Sequence, residues 1–107
     1  MALSTALRIL QLTLERDGSF GRAGTVTFSE SELECLAVLQ NMYKGSTVKQ
    51  KNPFPINSLA WSAWIIGRIG GWKGYKKAGP AGPITIKRGL EKFNQFFTGW
   101  LIQKIYA

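Results

Sequence analysis

Leucines at positions 3, 7, 10 and 14 recur at spacings of four, three and four, which predicts a helix from about Ala2 to Glu15 with those side chains on one stripe. A stripe of that kind calls for a partner surface. Asp17-Gly18, Gly21 and Gly24 break the period, so residues 16–27 read as loop, with Thr25 to Phe28 extended. Ser29 followed three residues on by Glu32 is a capping box, flanked by Phe28 and Leu33 as a hydrophobic staple, and it opens a second helix from Glu30 to Tyr43. Glu30, Glu32 and Glu34 sit where the positive end of that helix favours acids, so they need no catalytic explanation.

Residues 44–56 mix Lys44, Lys49 and Lys51 with Gly45, Pro53 and Pro55, a cationic connection with little of its own to order it. Asn57 or Ser58 can cap a third helix, with Ile56 and Trp61 as a second staple, and Gly70-Gly71 ends it after Ile69. Its apolar residues, Leu59, Trp61, Trp64, Ile65, Ile66 and Ile69, fall on nearly all sides, the pattern of a helix buried at the middle of a bundle. Gly82-Pro83 suits the start of a fourth helix, since proline in the first turn lacks only an N–H that would have no partner there. That helix should reach Lys104, with Ile86, Leu90, Phe93, Phe97 and Leu101 as its main stripe and Gly89, Phe96 and Trp100 as a flanking one. Two apolar stripes suggest a partner helix brought close at the glycine; an aromatic-rich edge of the core fits the pattern equally well.

The expected fold is therefore all-α, one domain over residues 1–107, a small bundle of about four helices around a buried third. At 107 residues and 45% hydrophobic composition the chain can bury one core. Composition then narrows the chemistry. Cys35 is the lone cysteine, which excludes an internal disulfide and a thiolate metal cage and fits a reducing compartment. No histidine is present, which removes the commonest general base and zinc ligand. The longest apolar run, Leu59 to Ile69, falls short of the roughly 20 residues of a bilayer span. The N-terminal stretch lacks the charged start of a secretory signal and reads as structure.

Charge is distributed unevenly. Residues 1–34 hold five acids and three bases, whereas residues 44–107 hold eleven bases and one acid, for a formal +8 overall. A one-sided field attracts polyanions, nucleic acid before an anionic membrane surface. The stretch WIIGRIGGWKGYKKAGPAGPITIKRGL, residues 64–90, concentrates this charge among glycines. It is not a P-loop, because no Gly-Lys-Ser/Thr falls at the required spacing. Ile66 to Gly71 superficially resembles the GXXG loop of KH domains, but the strands of that fold are missing and Lys73 stands where an aliphatic residue belongs. Gly70-Gly71 permits a left-handed helix end, after which Trp72, Lys73, Tyr75, Lys76 and Lys77 form a loop whose rings can stack on bases while its ammonium groups meet phosphate. The competing reading has Trp72 and Tyr75 covering the core and the lysines merely solvated.

Ser58 to Leu90 resembles the C-terminal region of bacterial insertion-sequence transposases of the Tn-five type. Ile66 to Trp72 matches a helix ending in an I-A-R-L-G-G-F-like stretch, Pro80 to Pro83 a Pro-Gly turn, and Ile86 to Leu90 a helix opening like L-W-R-G-L, with Lys87 where the family often has tryptophan. Upstream, ALRILQL (6–12) is similar to the helix after the family's catalytic glutamate, and FSESELECLAVL (28–39) to its capped helix, so the likeness covers nearly the whole chain. The resemblance implies a C-terminal piece of a longer DDE enzyme, beginning just after that glutamate. The parent's three carboxylates would hold Mg²⁺ or Mn²⁺; no such set can be assembled here, so this piece is expected to be non-catalytic and to need no cofactor. It also implies a bacterial, cytoplasmic protein acting on DNA, in which this domain pairs two protomers to assemble the synaptic complex.

On that reading Arg68, Lys73, Lys76, Lys77 and Arg88 are the expected phosphate contacts, as positioning charges. Gly89, Phe93, Phe96 and Trp100 are the expected dimer interface. The rivals are an autonomous single-stranded nucleic-acid binder using residues 72–77, and a purely structural bundle with a basic surface.

Overall fold

The computed structural model describes residues 4–18, 20–43, 52–73, 79 and 81–106. It contains α1 (Thr5–Glu15), a 3₁₀ turn (Gly24–Val26), α2 (Glu30–Tyr43), α3 (Leu59–Ile69) and α4 (Pro83–Tyr106), with no strand among the described residues. The fold is all-α, and α3 touches each of the other elements. Every residue of α3 except Arg68 is buried, as its all-round apolar sequence requires.

Local sequence signals set the helix starts. Ser29 Oγ accepts from Glu32 N at 3.2 Å while Glu32 Oε1 accepts from Ser29 N at 3.0 Å, the reciprocal capping box. Phe28 and Leu33 are both buried beside it. Ser58 Oγ caps α3 by accepting from Trp61 N, and Ser4 Oγ caps α1 by accepting from Leu7 N. The start of α1 is therefore Thr5 and not Ala2. Ile56 does not form the expected second staple: it is 67% exposed, and Phe54 packs against the core instead.

The face that α1 buries differs from the leucine stripe. Leu7, Leu10 and Leu14 are exposed, Leu3 lies outside the described residues, and Leu12 is fully buried with Ile9 beside it. Long-range anchors set this rotation. Arg8 donates from both terminal nitrogens to the Glu32 carboxylate, Glu15 is buried against the Arg22 backbone and side chain, and Arg16 donates to the Ala81 carbonyl. These anchors share the face of Leu12. Residues 25–28 likewise form no extended segment, because the Gly24 carbonyl accepts from Thr27 N and Phe28 N and tightens the chain into the 3₁₀ turn. Gly24 N donates to Asn57 O and Leu59 N to Arg22 O, tying this loop to the start of α3.

Helices α3 and α4 meet backbone to backbone. A Cβ on Gly89 would overlap the Ile66 carbonyl, and one on Gly70 would overlap the Thr85 carbonyl, so both positions exclude a side chain. The core continues from there through Ile66, Ile86, Leu90 and Phe93 to Phe28, whose ring meets Phe93 edge-on at 5.8 Å.

Candidate nucleic-acid interface

The two adjacent glycines at the end of α3 have separate tasks. Gly70 makes room for α4, and Gly71, at φ 103°, takes the left-handed conformation. Trp72 N donates to Gly67 O and Gly71 N to Arg68 O, a Schellman ending that turns the chain sharply out of the helix. Gly67 has no side chain, so the Trp72 ring lies over it and meets Trp64 edge-on at 6.1 Å. The Trp72 indole N–H donates to Gly79 O at 2.8 Å. Trp72 is therefore held in the fold. Arg68 is half-buried, with its guanidinium 5.9 Å from the Trp64 ring centre and Nη1 donating to the carbonyls of both Trp72 and Lys73.

Lys73 is exposed beyond this turn. Arg88 is exposed on α4, together with Lys87 and Lys92, which sequence reasoning did not select. No ion pair among the described residues engages these three α4 cations. Their signal was present in the chain: Arg88 and Lys92 are four apart and so share a helix face. Gly70 and Gly89 press the end of α3 onto the first turns of α4, which brings the helix end that bears Arg68 close to the turns that bear Lys87 and Arg88. Lys76 and Lys77 lie outside the described residues.

The four expected interface residues divide. Gly89 is buried against α3 of its own chain and Phe93 is fully buried in the core, so neither presents a surface to a second molecule. Phe96 is partly exposed. Trp100 is half-buried, stacked on Phe97 at 5.9 Å and covered by the Lys104 ammonium at 4.4 Å. Beyond Phe93 no residue from Asn94 to Ile105 is buried, although this stretch carries Phe96, Phe97, Trp100, Leu101, Ile102 and Ile105. Ile102 is 54% and Ile105 72% exposed, and a Cβ on Gly99 would meet nothing. Gly99 and Ile102 lie off the main stripe, and Ile105 lies past Lys104, where the sequence pattern ends the helix.

Cations engage acids on α1 and α2. Glu32 closes the capping box and pairs with Arg8, Glu15 contacts Arg22, and Glu34 pairs with Lys104 at 3.1 Å. No three Asp, Glu or Cys side chains among the described residues are placed to hold a metal ion. An open groove of about 440 Å³, bounded by Gly18, Arg22, Phe54 and Ile56, lies at the N-terminal end of α3. No described helix is long and apolar enough to cross a membrane. Comparison with known protein families, with curated proteins and with solved structures finds no match.

Proposed function

We propose that this chain is the dimerisation and auxiliary DNA-contact domain of a transposase of the Tn-five type, a part that holds DNA ends and protomers together and itself breaks no bond. The observation that carries the reading is the division of α4. Its first turns carry Lys87, Arg88 and Lys92 on the surface, and its later turns carry apolar side chains with none buried from Asn94 to Ile105. One half suits phosphate, the other a second helix. Lys73 extends the cationic end from α3.

The pairing surface in this reading centres on Gly99, with Phe96 and Ile102 to either side of it and Trp100 at its edge. Gly99 costs α4 helix stability of about 1 kcal/mol relative to alanine with no neighbour that requires it, and its open side admits a second backbone. The exposed leucines of α1 would lie against the preceding part of the parent protein. The single-stranded binder gains no support from Trp72, whose ring and N–H are engaged within the chain.

Two measurements test the proposal. Sedimentation with duplex DNA should show two chains per complex, reduced to one by Gly99→Leu or Ile102→Asp. Changing Lys87, Arg88 and Lys92 together to glutamine should flatten the salt dependence of DNA affinity by up to about three in log–log slope. An unchanged stoichiometry would remove the pairing role, and an unchanged slope the DNA role. Strand cleavage by the purified chain with Mg²⁺ or Mn²⁺ would overturn the non-catalytic assignment.

A further inference from the structure

Arg68 reads from sequence as one more phosphate contact, yet its surroundings describe a different task. Its Nη1 donates to two successive carbonyls, Trp72 O at 3.0 Å and Lys73 O at 2.8 Å, and its guanidinium stands over the Trp64 ring. Trp64 in turn meets Trp72, whose indole N–H reaches Gly79 O. Three carbonyls that lie outside any helix, those of Trp72, Lys73 and Gly79, are thus satisfied by side chains of the α3 end and the turn that follows it. Between Lys73 and Gly79 the sequence holds Tyr75, Lys76 and Lys77. Both ends of that lysine-bearing segment are fastened to one short cluster. A planar guanidinium suits this geometry because its donors are held in a fixed plane that can serve adjacent acceptors while the cation stands over a ring; an ammonium on a flexible stem has donors and charge but no such fixed plane.

We infer that Arg68 is a positioning residue. With Trp72 it clasps the two ends of the 73–79 segment, fixing the chain's path into Lys73 and the place of Gly79. Its relevance to DNA rests on the function proposed above. The clasp itself does not, since it is built wholly from contacts within the chain.

The test separates charge from position. Anisotropy of a fluorescein-labelled duplex of arbitrary sequence is titrated with wild type, Arg68→Lys, Arg68→Gln, Trp72→Phe and Lys73→Gln over about 50–200 mM salt. Lys73→Gln should reduce the salt slope by about one. Arg68→Lys and Trp72→Phe keep the formal charge, and both should weaken binding about ten-fold, as much as Arg68→Gln does. Binding by Arg68→Lys at the wild-type level, with a slope lost only in Arg68→Gln, would make Arg68 a phosphate contact and overturn the inference. Trypsin supplies a readout that needs no DNA. Cleavage after Lys73, Lys76 and Lys77 should accelerate about ten-fold in Arg68→Lys and Trp72→Phe, beyond any change in global stability measured by urea unfolding. If wild type ignores duplex DNA, the proposed function fails while the trypsin comparison still decides the clasp. Unchanged cleavage in both variants would refute it.

Discussion

Replacing Gly89 with alanine adds one methyl group to a helix and removes a residue of poor helical propensity, so an isolated α4 would gain about 1 kcal/mol. In the folded chain the sign should reverse. The new Cβ would stand 2.8 Å from the Ile66 carbonyl carbon and 2.9 Å from Ile66 Cγ2, with the carbonyl oxygen closer still. Restoring the carbon contacts alone to about 3.5 Å requires the helices to part by about 0.7 Å, and clearing the oxygen requires more, a gap that forfeits at least a quarter to a half of the dispersion attraction across the contact. Ile66, Ile69, Ile86 and Leu90 are all buried near this seam. Overpacking of this kind costs about 1–3 kcal/mol, and more where backbone is the obstacle. Taking the upper part of that range and subtracting the helix gain, the expected net destabilisation is about 1–2 kcal/mol, a melting temperature lower by about 5–15 °C. Gly99→Ala is the matched control: the same change on the same helix, into open space, should stabilise by about 0.5–1 kcal/mol. Urea and thermal unfolding of the two variants at equal concentration measure both. Should Gly89→Ala unfold at or above the Gly99→Ala midpoint, the backbone contact between α3 and α4 is not as described.

Three further outcomes follow from the packing. Leu12→Ala should cost about 2–5 kcal/mol, whereas Leu10→Gln, at a position 53% exposed, should stay within about 0.5; the reverse order in denaturant midpoints would restore the leucine stripe as the buried face. Glu32→Ala removes the capping box and strands the largely buried Arg8 guanidinium, for about 3–5 kcal/mol, and adding Arg8→Met should recover part of that loss in a double-mutant cycle. Burial, and secondarily the Glu32 charge, pushes the Cys35 thiol above its ordinary range. The unfolded thiol therefore ionises first, and stability should begin to fall as pH rises past about 8.5, a component absent from Cys35→Ala when unfolding is followed against pH. Alkylation of Cys35 should likewise track global unfolding.

The parts legible in the chain are those decided within a few residues. Ser29 with Glu32, Ser58 before an apolar run, and Pro83 after Gly82 each satisfy or avoid helix-end N–H groups locally, so helix starts could be read without knowing the neighbours. The all-round apolar character of α3 determined its central place for the same reason: such a helix has no side to give to water. Charge asymmetry, too, belongs to sequence alone. What faces what did not. Leu7, Leu10 and Leu14, at helical spacing on α1, lost to Arg8, Leu12, Glu15 and Arg16, because a bidentate ion pair and a carbonyl contact with distant residues fix the rotation of a helix, and spacing cannot name those partners. Gly89 was readable as a point of close approach, but only the fold shows that the approaching backbone is the chain's own α3; that moves the candidate pairing face to Gly99 and Ile102. Gly70 and Gly71 look alike in sequence, and they divide between steric room and left-handed geometry only once α4 is in place. Sequence determines where backbone groups need help and how much apolar surface must be hidden; tertiary contact decides which surface is hidden, since burial is a property of pairs.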